Sequence, residues 1–188
     1  MHYWSSNNPR ELHERPLHSD KVTVWCVLSR VAVIGPYFFE EDNHAVIVNL
    51  QQYVDMIKNF FEPALEEMHL GNVWFQEDGA TAHTARASVT LLRAKFSGWL
   101  ISLRGDIPWA AHSPDLTPYL SFCNFYLWGN LKGEVYKNNT STSEALQYEI
   151  TCVISSITMD KLQKVSDNLF MQCKACLQAE GGHFQHLF

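Results

Sequence analysis

The sequence has few cations, no long apolar run, no internal repeat and no low-complexity segment. Its 14 Lys and Arg are outnumbered by 20 Asp and Glu, so the formal net charge is −6. A chain with this balance has no global positive field to recruit nucleic acid, and any such contact would need a local basic patch. Without an apolar run of roughly 18 residues or a signal-peptide pattern, the sequence predicts neither a membrane span nor a secretory leader.

The five cysteines, in a chain without a secretory signal, favour a soluble intracellular protein with reduced thiols. Cys173 and Cys176, together with His183 and His186, have the residue types of a zinc site. The spacing does not match a zinc finger, and both cysteines fall on the apolar stripe of a predicted helix. We therefore expect Cys173 and Cys176 to belong to a packed C-terminal helix rather than to a zinc site.

What the sequence does contain is enough apolar material for one folded domain. The 188 residues are 46% hydrophobic and 13% aromatic, which predicts a packed core and excludes a disordered chain. Residues 1–20 are polar and lack periodicity, so they predict an extended arm. Residues 21–29 and 33–40 are rich in β-branched and aromatic residues and predict an antiparallel hairpin, with Pro36 at a sheet edge or before a late strand start.

The rest of the chain alternates helical and strand patterns and predicts an α/β layered domain. Asn49 is expected to cap a helix that Pro63 kinks near its middle, and Ser141 with Glu144 predicts a capping box for a later helix. The predicted helices span residues 50–68, 81–96, 115–132, 140–157 and 160–179, and the predicted strands span residues 73–76 and 99–103.

Two aspartates each follow an apolar segment of sequence, and they are the candidate functional residues. Asp78 closes the strand-like segment 73–77, and Asp115 lies in the motif SPDL at 113–116, which predicts a helix start. The 36 residues that separate them leave room for a helix and a strand, so the two carboxylates can meet at a sheet and hold a divalent metal there. Isolated aspartates at such positions also serve as caps and turn residues.

Two blocks of sequence resemble the catalytic domain of mariner/Tc1-type DNA transposases. Residues 74–84 (WFQEDGATAHT) are similar to the family's second-aspartate block. Residues 113–118 (SPDLTP), followed by 125–129 (FYLWG), are similar to its third. The hairpin and the ending at 181–184 (GGHF) are also similar, so the likeness covers nearly the whole chain.

The resemblance implies an RNase H-like mixed sheet flanked by helices, with a C-terminal helical tail. It divides the chain into the arm at 1–20, a partial catalytic domain at 21–135 and a helical extension at 136–188. In this family three carboxylates hold two Mg²⁺ or Mn²⁺ ions that act on a phosphodiester. Asp78 and Asp115 match the second and third positions, as both catalytic and metal-binding residues, and His83 is a candidate nucleic-acid contact.

The resemblance also implies transposon-end DNA as the partner, a nuclear location and no membrane contact, and it leaves a homodimer open. In this family the first aspartate precedes a Tyr-Trp pair and a Val-Trp-Cys block. This sequence has these at residues 3–4 and 24–26, so it begins after the position of that aspartate. We therefore expect the central first strand and the helix-turn-helix region to be missing, and the chain of 188 residues to be catalytically inactive.

Three departures from the family pattern bear on the site. Glu77 stands where the family often has a neutral residue, and because neighbouring strand residues face opposite ways we expect it on the surface. Residues 119–122 resemble a short insertion, and Asn124 replaces an aspartate. Both changes lie beside the helix that should orient Asp115.

Two alternatives to the transposase interpretation remain open. The first is a non-catalytic remnant that binds nucleic acid or a protein partner through the retained fold. The second is a different RNase H-like nuclease that recruits a substitute carboxylate, such as Asp20 or Asp42. A salt-dependent affinity for DNA distinguishes the first, and loss of nuclease activity on replacing both residues distinguishes the second.

Overall fold

The computed structural model of the chain describes residues 21–41, 44–109, 127–135 and 142–180. Strands dominate the first part of this region and helices the last part. The strands are β1 (Thr23–Leu28), β2 (Val33–Glu41), β3 (His44–Ala45), β4 (Phe75–Gln76), β5 (Leu100–Ser102) and β6 (Ile107–Pro108). The α-helices are α1 (Leu50–Met56), α2 (Glu62–Glu67), α3 (Thr81–Thr84), α4 (Arg86–Lys95), α5 (Gly129–Val135), α6 (Ser143–Ser155) and α7 (Met159–Gln178).

The predicted hairpin is confirmed: β1 and β2 pair antiparallel. Of the two positions expected for Pro36, the late strand start is wrong, because β2 begins at Val33. The edge position is confirmed locally: β3 pairs only with Glu40 and Glu41 of β2, so at Pro36 the one paired strand in the described residues is β1. Pro36 also lies where the register with β1 shifts between Trp25 and Val27, an irregularity that tolerates a residue without an N–H. Gly35 has φ +116° there, and an added Cβ would lie 3.0 Å from the Trp25 carbonyl oxygen.

The described strands form two separate three-stranded sheets. β1, β2 and β3 make an antiparallel sheet, and β4, β5 and β6 make a parallel one. Within the described residues β1 and β4 are not hydrogen-bonded neighbours. The short strands β3 and β6 were not predicted.

The helix after the first sheet changes its winding before Pro63. Asn49 caps α1 as predicted, accepting from the Gln52 N–H in a reciprocal capping box. A π-helical turn over Ile57–Phe61 then leads into α2, where Pro63 sits in the first turn. The winding is continuous, because the Glu62 N–H donates to the Ile57 carbonyl across the π-helical turn. Proline has no N–H to donate along a helix, and here it directly follows the turn at which the regular hydrogen-bond ladder is already interrupted.

Two hydrophobic clusters fill the interior. The first joins β2 and the parallel sheet to α1, the π-helical turn and α4, and its fully buried members include Tyr53, Met56, Phe61, Leu92 and Leu100. The second packs α5 and α6 on the other side of the hairpin, and it includes Cys26, Leu127, Leu131, Ile150 and Ile154. Leu127 and Leu131 lie one helical turn apart and are both buried.

A single helix predicted over 81–96 is two helices in the structure. Ala85 has extended backbone angles, φ −64° and ψ 141°, and separates α3 from α4. The buried Ser88 hydroxyl donates to the Ala82 carbonyl at 2.6 Å and ties the two helices together. Because of this break α3 is aimed independently of α4, and it is α3 that carries His83.

The C-terminal helices match the prediction to within a few residues. The N-cap of α6 is Thr142, which accepts from the Ala145 N–H, so the capping box expected from Ser141 is wrong. On α7 the buried face is centred on Leu162, Ser166, Gln172 and Ala175, and Cys173 and Cys176 are half-buried beside it. Among the described helices none is long and apolar enough to cross a membrane.

Candidate active site

Asp78 lies at the carboxyl end of β4, where the parallel sheet gives way to α3. The backbone N–H of Glu77 still donates to the Ile101 carbonyl of β5 at 3.0 Å, so the strand pairing extends to the residue before Asp78. The Asp78 Oδ1 then accepts from the Ala80 N–H at 3.0 Å, a turn that aspartate stabilises locally. The strand pairing and this turn together fix the position of the Asp78 carboxylate.

His83 holds the same carboxylate oxygen from the far end of the turn. Its Nδ1 lies 2.6 Å from Asp78 Oδ1. This hydrogen bond lowers the pKa of Asp78, and partial burial opposes the shift only in part. The Asp78 side chain is 50% exposed, and its hydrogen bonds within the described region all fall on Oδ1. The site therefore presents an ionised carboxylate with one oxygen anchored and the other facing outward.

The hydrogen bond to Asp78 also constrains what His83 can do. Because a carboxylate only accepts, Nδ1 carries the proton and a neutral His83 has only an acceptor at Nε2. His83 would donate to a phosphate only when its ring is doubly protonated. The Tyr53 ring lies 4.7 Å from the His83 ring, centroid to centroid, and holds it in place. The structure therefore places His83 against Asp78, and the nucleic-acid contact expected for it stays a prediction.

We predict that His83→Ala raises the pKa of Asp78 towards that of an ordinary aspartate, because it removes the largest stabiliser of the carboxylate. The measurement is a ¹³C NMR titration of the Asp78 carboxyl carbon. His69→Ala is the matched control, since the one hydrogen bond of His69 in the described part of the chain is from its backbone N–H to the Glu66 carbonyl, at the end of the parallel sheet away from Asp78. A titration of Asp78 that is the same in wild type and His83→Ala would contradict this role.

Glu77 is buried, and the expectation of a surface position is wrong. Its side chain faces away from Asp78, as a strand requires, but that face carries Phe75 and is the inner one. Glu77 is 6% exposed and accepts a hydrogen bond from the Tyr53 hydroxyl at 3.0 Å. The burial of Glu77 could have been inferred from Tyr53, because a tyrosine on the apolar face of a helix needs a buried hydrogen-bond acceptor.

Burial raises the pKa of Glu77 to about 7, and the nearby Asp78 charge adds to this. The hydrogen bond from Tyr53 and the proximity of His83 oppose the shift. The second oxygen, Oε1, is buried and has no hydrogen-bond partner in the described residues. Burial raises the pKa of Tyr53 as well, so this pair sits in a site that disfavours charge.

Several residues named from the sequence lie outside the described residues. They are Asp115, the alternative carboxylates Asp20 and Asp42, Asn124 with the insertion at 119–122, and the candidate zinc ligands His183 and His186. The described part of the chain contains no cluster of three or more His, Cys, Asp or Glu that could hold a metal ion. Of the two predicted metal ligands, the structure describes Asp78 alone.

A cavity of about 300 Å³ lies at the opposite end of the parallel sheet from Asp78. Its walls come from the end of α2, the end of α4 and the segments that precede β4 and β5. They include Leu65, His69, Val73, Lys95 and Trp99. Since β4 and β5 run parallel, the cavity is at their amino ends and takes no part in the Asp78 site.

The fold is similar to solved transposase structures. The catalytic domain of Mos1 mariner transposase matches with a TM-score of 0.68 and 20% identity, over 88% of this chain and 77% of that one. Mos1 transposase in a paired-end complex with the left transposon end matches with a TM-score of 0.70 and 19% identity. The Mos1 mariner paired end complex with Mn matches with a TM-score of 0.71 and 20% identity.

In both complexes the match covers 98% of this chain and 51% of the Mos1 chain, so the chain spans about half the length of those proteins. Neither a protein-family model nor a curated protein sequence matches it. At an identity near one fifth the likeness establishes the fold. That fold is the RNase H-like α/β architecture that the sequence predicts.

Proposed function

We propose that the chain represents part of the catalytic domain of a mariner/Tc1-type DNA transposase, a class that acts on DNA phosphodiesters through metal-binding carboxylates, and that Asp78 and Asp115 are two of those carboxylates. The observation that carries the proposal is the Asp78 carboxylate, which is ionised, anchored through Oδ1 and placed at the end of β4. The two sequence blocks around Asp78 and Asp115, and the structural likeness to Mos1, support the same assignment.

Asp78 fits a hard divalent cation. Its pKa is lowered and its second oxygen faces outward, which suits Mg²⁺ or Mn²⁺. Asp115 would be the second protein ligand, by sequence resemblance. When bound, such ions supply charge for activating the attacking oxygen and stabilising the leaving oxygen. The chain's own contribution is to keep Asp78 deprotonated and correctly oriented, through His83 and the Ala80 N–H.

Metal binding gives a test that does not depend on turnover. We predict that Mn²⁺ broadens the amide NMR signals near Asp78, and that Asp78→Asn weakens Mn²⁺ binding about tenfold or more, since it removes a charged ligand. Asp115→Asn is expected to do the same. Asp167→Asn is the matched control, because this exposed aspartate pairs with Arg30 on another face. Broadening that persists unchanged in Asp78→Asn would contradict the metal role.

The family's chemistry requires three carboxylates, and the 188 residues match two of them. We therefore predict that this chain by itself does not nick transposon-end DNA at a measurable rate with Mg²⁺ or Mn²⁺. A gel assay with labelled DNA measures it, and Asp78→Ala separates activity of this site from a contaminating nuclease. Metal-dependent nicking that Asp78→Ala abolishes would contradict the predicted inactivity while supporting the assignment of Asp78.

Non-catalytic binding of nucleic acid is the second candidate function. It is favoured by the charge of residues 79–109, which carry four Lys or Arg and a single acidic residue in a chain of net charge −6. Salt-dependent binding of DNA without any Mn²⁺ effect at Asp78 would favour this candidate. A nuclease with Asp20 or Asp42 as a substitute ligand remains a third, and replacing both with asparagine tests it.

A further inference from the structure

The α3–β6 region carries a positive charge that the rest of the chain does not. Residues 79–109 have a net charge of +3, with His neutral, against −6 for the whole chain. The cations are Arg86, Arg93, Lys95 and Arg104, and the one acid is Asp106. Such a local concentration attracts polyanions even when the net charge of the protein is negative.

Two of these four cations are already neutralised. The Arg93 Nε lies 3.2 Å from Asp106 Oδ1, and its Nη2 donates to the Gly105 carbonyl at 3.0 Å. Lys95 pairs with Glu66. Arg104 is exposed and forms no ion pair within the described ranges. Its single side-chain hydrogen bond there runs from Nη1 to the Thr84 carbonyl at 3.3 Å, which leaves most of its five N–H groups available.

The turn that carries Arg104 is held firmly against β5. The Asp106 N–H donates to the Leu100 carbonyl at 2.8 Å, and the Asp106 Oδ2 accepts from the Gly98 N–H at 3.0 Å. Gly105 packs so closely that an added Cβ would lie 2.5 Å from the Leu100 carbonyl oxygen. These contacts fix the backbone at Arg104, and the bond to the Thr84 carbonyl restrains its guanidinium, so less conformational entropy is lost when it binds a ligand.

Arg104 lies on the same edge of the parallel sheet as Asp78. Gln76 of β4 is opposite Ile101 of β5, so the carboxyl ends of both strands lie at this edge within a few residues of each other. The guanidinium then reaches α3 at Thr84, the residue after His83, whose ring holds Asp78. α3 is a single turn of four residues, with Asp78 before its amino end and Arg104 at the Thr84 carbonyl of its carboxyl end, so the cation and the carboxylate lie on either side of one helical turn.

We propose that Arg104 is a positioning residue that binds a backbone phosphate of the nucleic acid next to the one at Asp78. This inference rests on the proposed function. A guanidinium can bind two oxygens of one phosphate with parallel hydrogen bonds, which fixes both place and orientation. It also offsets the repulsion between the Asp78 carboxylate and the phosphodiester backbone, which a site with carboxylates alone would have.

The test is fluorescence anisotropy of the full chain with a labelled DNA duplex over a range of salt concentrations. Arg104→Gln is expected to weaken binding about tenfold and to reduce the slope of log affinity against log salt by about one. Arg104→Lys is expected to restore the slope and part of the affinity, since it keeps the charge and loses the planar fork. Lys164→Gln removes one exposed, ion-paired cation on α7 and is expected to match wild type.

The outcomes separate this inference from the proposed function. If wild type binds DNA and Arg104→Gln matches Lys164→Gln, the role of Arg104 is overturned while DNA binding stands. If wild type does not bind DNA even at low salt, the proposed function fails and the inference fails with it. Thermal melting of each variant confirms folding, and Arg104→Lys retains a donor for the Thr84 carbonyl if Arg104→Gln melts early.

Discussion

Phe61→Ala is expected to destabilise the protein by about 3–5 kcal/mol, as for other fully buried phenylalanines. Phe61 is 1% exposed and lies at the end of the π-helical turn. Its ring centroid is 5.2 Å from that of Trp25 on β1 and 5.2 Å from that of Phe75 on β4. Since β1 and β4 belong to different sheets, this one side chain packs against both.

Urea unfolding followed by intrinsic fluorescence measures the loss. Phe170→Ala is the matched control, because Phe170 is 57% exposed on α7 and the same deletion there should change stability by no more than about 0.5 kcal/mol. If Phe61→Ala costs as little as Phe170→Ala, the two sheets are not held together by the aromatic cluster. A lowered m value in Phe61→Ala alone would instead indicate that the sheets unfold separately.

The elements that the sequence predicts well are those with a repeated pattern. The hairpin and the helices α1, α6 and α7 each contain several turns or alternations, so one atypical residue does not hide the period. The two-residue strands β3 and β6 have no period to detect, and only pairing with a neighbour defines them. The break at Ala85 between α3 and α4 could not be predicted either, because alanine favours a helix. It is explained by packing around Ser88, whose hydroxyl donates to the Ala82 carbonyl.

The candidate site was predictable in its residues and not in its contacts. Asp78 was identified from its motif, and its bond to His83 spans five residues and depends on the separate direction of α3. The burial of Glu77 depends on which face of β4 the helix α1 covers, and that is set by residues far apart in the chain. A correct statement about strand geometry therefore led to a wrong statement about exposure.

Glu77 should make the stability of the protein fall as the pH rises from about 4.5 to about 7. The pKa of Glu77 is about 7 in the folded protein, against 4.5 for an unperturbed glutamate, as in the unfolded chain. The folded state thus binds the proton more tightly, so the protein is most stable below the unfolded value. Stability is lost as pH rises through this window, and the full cost of about 3 kcal/mol is present above it.

Asp78 does not obscure this effect, since its lowered pKa acts in the opposite direction and at lower pH. A group with a depressed folded-state pKa contributes stability that is lost as pH falls through that value. Its window lies below the usual range of an aspartate, whereas that of Glu77 lies above the usual range of a glutamate. The two carboxylates, although neighbours in sequence, therefore titrate in separate regions of the pH profile.

Glu77→Gln is expected to abolish the decline between pH 4.5 and 7, because the side chain is then neutral throughout while its amide oxygen still accepts from the Tyr53 hydroxyl. Urea unfolding at several pH values measures the free energy of unfolding across the window. Glu66→Gln makes the same chemical change at an exposed ion pair with Lys95 and should keep the wild-type decline. Parallel profiles for wild type and Glu77→Gln would mean that Glu77 is ionised in the folded protein at an ordinary pKa, and that water reaches its Oε1.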